Sequence, residues 1–154
     1  MKFMIFNIKP YLIPLIILIG FLTNTFPVNA EQGFGNYDEA IYVRNYDGDT
    51  ITFNLTNLHP IIGNKITIRV NGIDTAEIRG KCDKEKYNAE QARDMVTDIL
   101  KDAERIDLKN MGRGKYFRIV ADVYVDGENL AEALIDSGMA VKYGGGEKNS
   151  RWCE

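Results

Sequence analysis

A small α+β domain, mainly β with two to three helices, is what these 154 residues predict. Three observations carry that prediction. Apolar residues alternate at a period of two in five separate stretches, the pattern of strands with one buried face. Between the third and fourth stretch the apolar period changes to that of a helix. In front of both lies a thirty-residue leader whose composition is unlike the rest.

The leader comes first in the chain. Lys2 and Lys9 give a short basic start, Tyr11 to Phe26 is almost wholly apolar, and Val28-Asn29-Ala30 ends in small residues. That is the pattern of a secretory signal peptide over residues 1–30, cut after Ala30. The alternative is an uncleaved anchor. The apolar run Tyr11 to Leu22 is short against the roughly 20 residues a span needs, which favours cleavage. The expected location is therefore outside the cytoplasm, periplasmic or secreted, with the membrane met only through the transient leader. No stable protein partner is implied, and a monomer is expected. The whole chain carries a net charge of −3, and residues 31–154 alone carry 17 basic against 22 acidic side chains, or −5. A globally basic surface is the usual footprint of nucleic-acid binding. Any such attraction here must be local, or helped by a bound cation.

Residues 31–38 hold two glycines and no period, and read as a loose lead-in to one domain over residues 39–154. Ile41 and Val43 alternate with polar neighbours; so do Ile51, Phe53 and Leu55 after Asp47-Gly48. An Asp-Gly pair between alternating runs predicts that residues 40–46 and 50–55 form an antiparallel hairpin. Ile66, Ile68 and Val70 mark a third strand. Over 88–101, Ala92, Met95, Val96, Ile99 and Leu100 recur at helical spacing, and Asn88 with Gln91 forms a capping pattern. Ile106 and Leu108 mark a short fourth strand. Ile119, Ala121, Val123 and Val125 mark a fifth, ended by Asp126-Gly127. Asn129 with Glu132 caps a second helix over Leu130, Leu134 and Ile135, and Gly138 stops it. Five strands with a helix between the third and fourth is the layout of a five-stranded OB-fold barrel. Fold alone does not give function.

Three short segments hold chemistry. Asp47-Gly48-Asp49-Thr50, taken alone, is a hairpin turn. Arg69-Val70-Asn71-Gly72-Ile73-Asp74-Thr75-Ala76-Glu77, taken alone, is a charged loop. Lys115-Tyr116-Phe117-Arg118, taken alone, is a charge cluster at a strand edge. Parity sharpens them. Ile66, Ile68 and Val70 share one face, so Arg69 points to the other; Arg118 likewise points away from the Ile119–Val125 apolar set. Both arginines are then expected to be free to reach a ligand. Asp49 and Asp74, at a strand start and a strand end, can be brought together by a barrel. Two carboxylates and the Thr75 carbonyl suit a hard cation such as Ca²⁺. Arginine forks match phosphate and stay charged, which suits Arg69 and Arg118 to a phosphodiester transition state. Glu77 is placed to orient or deprotonate an attacking water.

Asp-Gly-Asp-Thr, then Arg-x-x-x-x-Asp-Thr-x-Glu, then Lys-Tyr-x-Arg leading to Tyr-x-Asp-Gly resembles the staphylococcal nuclease (thermonuclease) family, from about Val43 to Ala140. Glu85-Lys86-Tyr87 and Glu132-Ala133-Leu134 add to the likeness. The resemblance implies an OB-fold nuclease that hydrolyses DNA and RNA with Ca²⁺ and leaves 3′-phosphates. It implies Asp49, Asp74 and the Thr75 carbonyl as metal ligands, and Arg69, Glu77 and Arg118 as catalytic residues. Asp47 becomes an acid behind the metal ligands, and Lys115 and Tyr116 sit near a substrate phosphate. A nuclease-like module that binds without cutting is the alternative. The chain departs from the family pattern at Ala76, where a proline is usual, and at Phe117, where a glycine is usual. After the second helix it has Tyr143 and three glycines, and it ends Ser150-Arg151-Trp152-Cys153 in place of a third helix.

Cys82 and Cys153 are the two cysteines. In an exported protein an even count suggests a disulfide; two free thiols are the alternative. His59, the single histidine, stands before Pro60 in an expected turn and takes no role. Tyr87 and Trp152 read as packing residues.

Overall fold

The structure, a computed structural model, describes residues 35–146 and 150–154. All of these belong to the unit Glu31–Glu154; the expected signal peptide lies outside the described residues. No described helix is long and apolar enough to cross a membrane.

The chain is α+β, with eight strands and three α-helices among the described residues. In order they are β1 (Ile41–Asn45), β2 (Thr50–Asn54), α1 (Pro60–Gly63), β3 (Ile66–Val70), β4 (Ile73–Thr75), α2 (Asp83–Asp102), β5 (Ile106–Arg113), β6 (Ile119–Val125), β7 (Glu128–Asn129), α3 (Leu130–Asp136) and β8 (Ala140–Lys142). The main sheet runs β1-β2-β3-β6-β5, with β7 beside β6, while β4 and β8 form a separate antiparallel pair. The β1–β2 hairpin is antiparallel, as its Asp-Gly loop predicts. Strands β3 and β6 pair in parallel and set Arg69 opposite Val120. The hydrogen-bonded sheet is an open path. The backbone just ahead of β1 reaches β5 through the Tyr37–Leu108 bridge and the Ala40 N–H to Ile106 carbonyl bond of 2.8 Å.

The period-two faces become the core. Ile51, Phe53, Ile68, Val70, Leu108, Ala121 and Val123 are buried against Val96 and Leu100 of α2 and Leu130 and Leu134 of α3. Each large apolar side chain buried this way contributes about 1.5–3 kcal/mol. Helix α2 is capped six residues before the expected position. Its N-cap is Cys82, whose Sγ accepts the Glu85 N–H, and Asn88 lies inside the helix. The first turns of α2 carry polar residues, so apolar spacing begins only at Ala89. Asn129 caps α3 as predicted, its Oδ1 accepting the Ala131 N–H at 2.8 Å. His59 caps α1 by accepting the Ile61 N–H. Tyr87 does not pack; it is 61% exposed.

Cys82 and Cys153 form a disulfide across 71 positions, with Cα atoms 6.0 Å apart. A loop of that length is stabilised by up to about 4 kcal/mol in the chain-entropy model. The bond fastens the Ser150–Cys153 turn to the start of α2. Glu85 stands close to both sulfurs, but sulfurs bonded to each other offer no thiolate to a metal.

Gly48 is required by packing. A Cβ there would stand 2.9 Å from both Ala92 Cβ and Thr75 Cγ2. The loop before β2 is thus pressed between α2 and β4 with no room for a methyl group. Gly48→Ala should lower stability by about 1–3 kcal/mol through overpacking, read as a lower denaturant midpoint. An unchanged midpoint would show that the loop can move away without cost.

Candidate active site

The site is built where the β1–β2 loop, β3 and β4 converge. Asn45 ends β1 and anchors the loop to α2: its Nδ2 donates to the carbonyls of Asp47 (3.0 Å) and Arg93 (2.9 Å), and its Oδ1 accepts from Thr97 Oγ1. The following residues, Asp47, Gly48 and Asp49, are all buried. Asp47 Oδ1 accepts the Asp49 N–H at 3.2 Å. Asp49 Oδ2 accepts the Thr75 N–H at 3.0 Å, so the loop is bonded to β4.

Arg69 lies between the acids. On β3 it points away from Ile68 and Val70, as parity requires. One guanidinium nitrogen pairs with Asp49 Oδ1, and the other donates to Asp74 Oδ1 at 3.0 Å and to the Ile73 carbonyl at 3.3 Å. The expectation that Arg69 is free to reach a ligand needs correction. It is ion-paired to both acids, because burial leaves those carboxylates no water to pair with. Both acids have side chains only 2% exposed.

Negative charge is in surplus here. Burial pushes Asp49 up to about 7 from its ordinary 3.8, and the neighbouring charge of Asp47 adds to this; Arg69 and the Thr75 N–H oppose it. Asp47 is also raised, first by burial, with its hydrogen bonds from Asp49 and Thr50 pulling the other way. The Glu77 carboxylate lies near enough to add to that rise. Thr75 is 1% exposed, and its Oγ1 has no hydrogen-bond partner among the described residues.

Two cavities meet at β4. The first, about 430 Å³, gathers Arg69, Lys115, Arg118 and Tyr143. Lys115 Nζ donates to the Gly145 carbonyl at 2.8 Å on its wall. The second, about 520 Å³, is bordered by Asp74, Thr75 and Glu77, with Arg79, Lys81 and Trp152 beyond them. The structure thus brings Asp47, Asp49, Asp74, Thr75 and Arg69 together and places Arg118 and Lys115 beside Arg69. Glu77 opens onto the second cavity. Tyr116 lines neither; it stands 87% exposed at a loop tip next to Phe117, both at positive φ. Tyr143, to which the sequence assigns no role, also borders the first cavity directly after β8. Arg79 and Lys81 carry no signal of their own in the sequence, and Trp152, expected to pack, joins their wall through the disulfide.

The described residues thus form an α+β protein in which Arg69, Lys115 and Arg118 line one cleft beside buried carboxylates. Residues 67–151 match the family described as staphylococcal nuclease homologue, more than half of the chain, and the chain belongs to that family of nucleases. The match begins after the Asp47–Thr50 loop, so the place of Asp49 rests on the hydrogen bonds described above. No curated protein matches the chain.

A carboxyl raised on folding binds its proton more tightly in the native state. Its ionisation therefore costs stability as pH rises from about 4 to about 7. In metal-free protein the melting temperature should fall more steeply across this window for wild type than for Asp49→Asn. Equal slopes in thermal melts followed by circular dichroism would contradict this.

Proposed function

We propose that this protein is an exported, Ca²⁺-dependent phosphodiesterase that hydrolyses DNA and RNA and leaves 3′-phosphates. The observation that carries the reading is the pair of buried carboxylates, Asp49 and Asp74, sharing one guanidinium beside a cleft with two further cations. The donor set fits a hard cation: two carboxylates and the Thr75 carbonyl are all oxygen. Asp49, Asp74 and Thr75 would hold the ion. When bound, such an ion draws charge from a phosphate oxygen.

The remaining work falls to side chains. Arg118 forks onto the phosphate and counters the charge that grows on its oxygens. Arg69 holds Asp49 Oδ1 and Asp74 Oδ1, oxygens a cation would take, and phosphate oxygens are the alternative acceptors for its fork. Lys115 sits in the same cleft and suits a neighbouring phosphate. Glu77 accepts a proton from the attacking water. The water oxygen bonds to phosphorus, the bond to the 5′ oxygen breaks, and that oxygen takes a proton from solvent. Asp47 holds the Asp49 backbone in place. An OB-type barrel belongs to the same reading, supported by the strand order and the Tyr37–Leu108 bridge. Export is supported by the disulfide, a bond that persists in oxidising compartments.

The test is digestion of single- and double-stranded DNA and RNA with Ca²⁺, with Mg²⁺ and with chelator. Cleavage should need Ca²⁺ and leave 3′-phosphate ends. Arg118→Ala and Glu77→Ala should each lower kcat by about 10²-fold or more. Tight binding without cleavage would overturn the hydrolytic reading and leave a binding module.

A further inference from the structure

We propose that the second cavity is a separate subsite for single-stranded nucleic acid. It takes the part of the strand that continues past the phosphate held in the arginine cleft. The choice of polymer rests on the nuclease reading; the subsite rests on its own residues. Strand β4 carries both cavities: Ile73 lines the arginine cleft, while Asp74 and Thr75 line the second one. A strand leaving the first over the paired acids meets the second directly.

The lining has the two components such a strand requires. Arg79 and Lys81 supply cations for its backbone, and Trp152, the single tryptophan of the chain, supplies an aromatic surface for a base. Neither cation makes an ion pair among the described residues. Glu85 also borders the cavity, but its Oε2 already accepts the Lys81 N–H at 2.8 Å.

The wall is constructed. Trp152 is half-buried and is held by the adjoining Cys153–Cys82 bond. Lys84 Nζ also donates to the Glu154 carbonyl just beyond it. Two buried polar atoms of the lining residues lack partners among the described residues, Trp152 Nε1 and Thr75 Oγ1. Both atoms belong to the same wall, where among the described residues no side chain competes for them.

The single tryptophan makes the test direct. The disulfide-bonded protein is titrated with single-stranded DNA octamers in chelator, and its fluorescence is followed. Saturable quenching is expected. It should persist in Arg118→Ala, which weakens the other cleft. It should need about tenfold more octamer in Arg79→Ala/Lys81→Ala, a change of about 1.4 kcal/mol. No quenching, or quenching that the double variant leaves unaltered, overturns the subsite even if Ca²⁺-dependent cleavage is observed. Quenching with that sensitivity, in a protein that cuts nothing, upholds the subsite and defeats the hydrolytic reading.

Discussion

The architecture of the site depends on one guanidinium between two buried carboxylates. Asp49 and Asp74 come from different chain segments and carry like charge. Without Arg69 they would repel in surroundings that offer almost no water. Breaking such a pair from one side typically costs about 3–5 kcal/mol, because a buried charge is left alone. The same group ties the β1–β2 loop, β3 and β4 into one unit. The interaction is therefore structural as well as chemical, and it leaves more negative charge than it neutralises.

The rest of the fold holds that arrangement in register. Gly48 lets α2 and β4 close on the loop, and Asn45 bonds the loop to the backbone of α2. The Asp49–Thr75 hydrogen bond then sets β4 at the height of Arg69. Because β4 lines both cavities, the position of one short strand bears on each. The disulfide acts at the outer edge, fastening the chain end to the start of α2 and closing the second cavity.

Much of this was legible in the sequence, for identifiable reasons. A period of two exposes buried strand faces, so the five main strands and the outward turn of Arg69 and Arg118 could be read. The Asp-Gly loop and Asn129 signal their roles through local bonding. Strands β4 and β8 have three residues each, too few for any period, and pair only with each other. Cys82 went unread as the α2 cap because thiols seldom cap helices and the first turns of α2 face water. Parity shows which way Arg69 faces and is silent on its partners. The position of Glu77 along the chain likewise could not tell on which side of β4 it opens.

Charge placement bears on what such a protein does with a polyanion. The whole chain is net negative, yet Arg69, Lys115 and Arg118 share one cleft and Arg79 and Lys81 share the next. Acids border the second cleft too, and they gather elsewhere, as with Asp102, Asp126 and Glu128 around another surface cavity. Attraction between exposed charges fades over about 8–10 Å at physiological salt, so a phosphate in either cleft interacts chiefly with the cations beside it. A strand lying elsewhere on the surface meets a net acidic field. Under the proposed nuclease reading, such a pattern favours a short stretch of backbone at the site over the remainder of a long strand. That suits turnover, in which products must leave, better than storage of long polymer, which requires a broad basic surface.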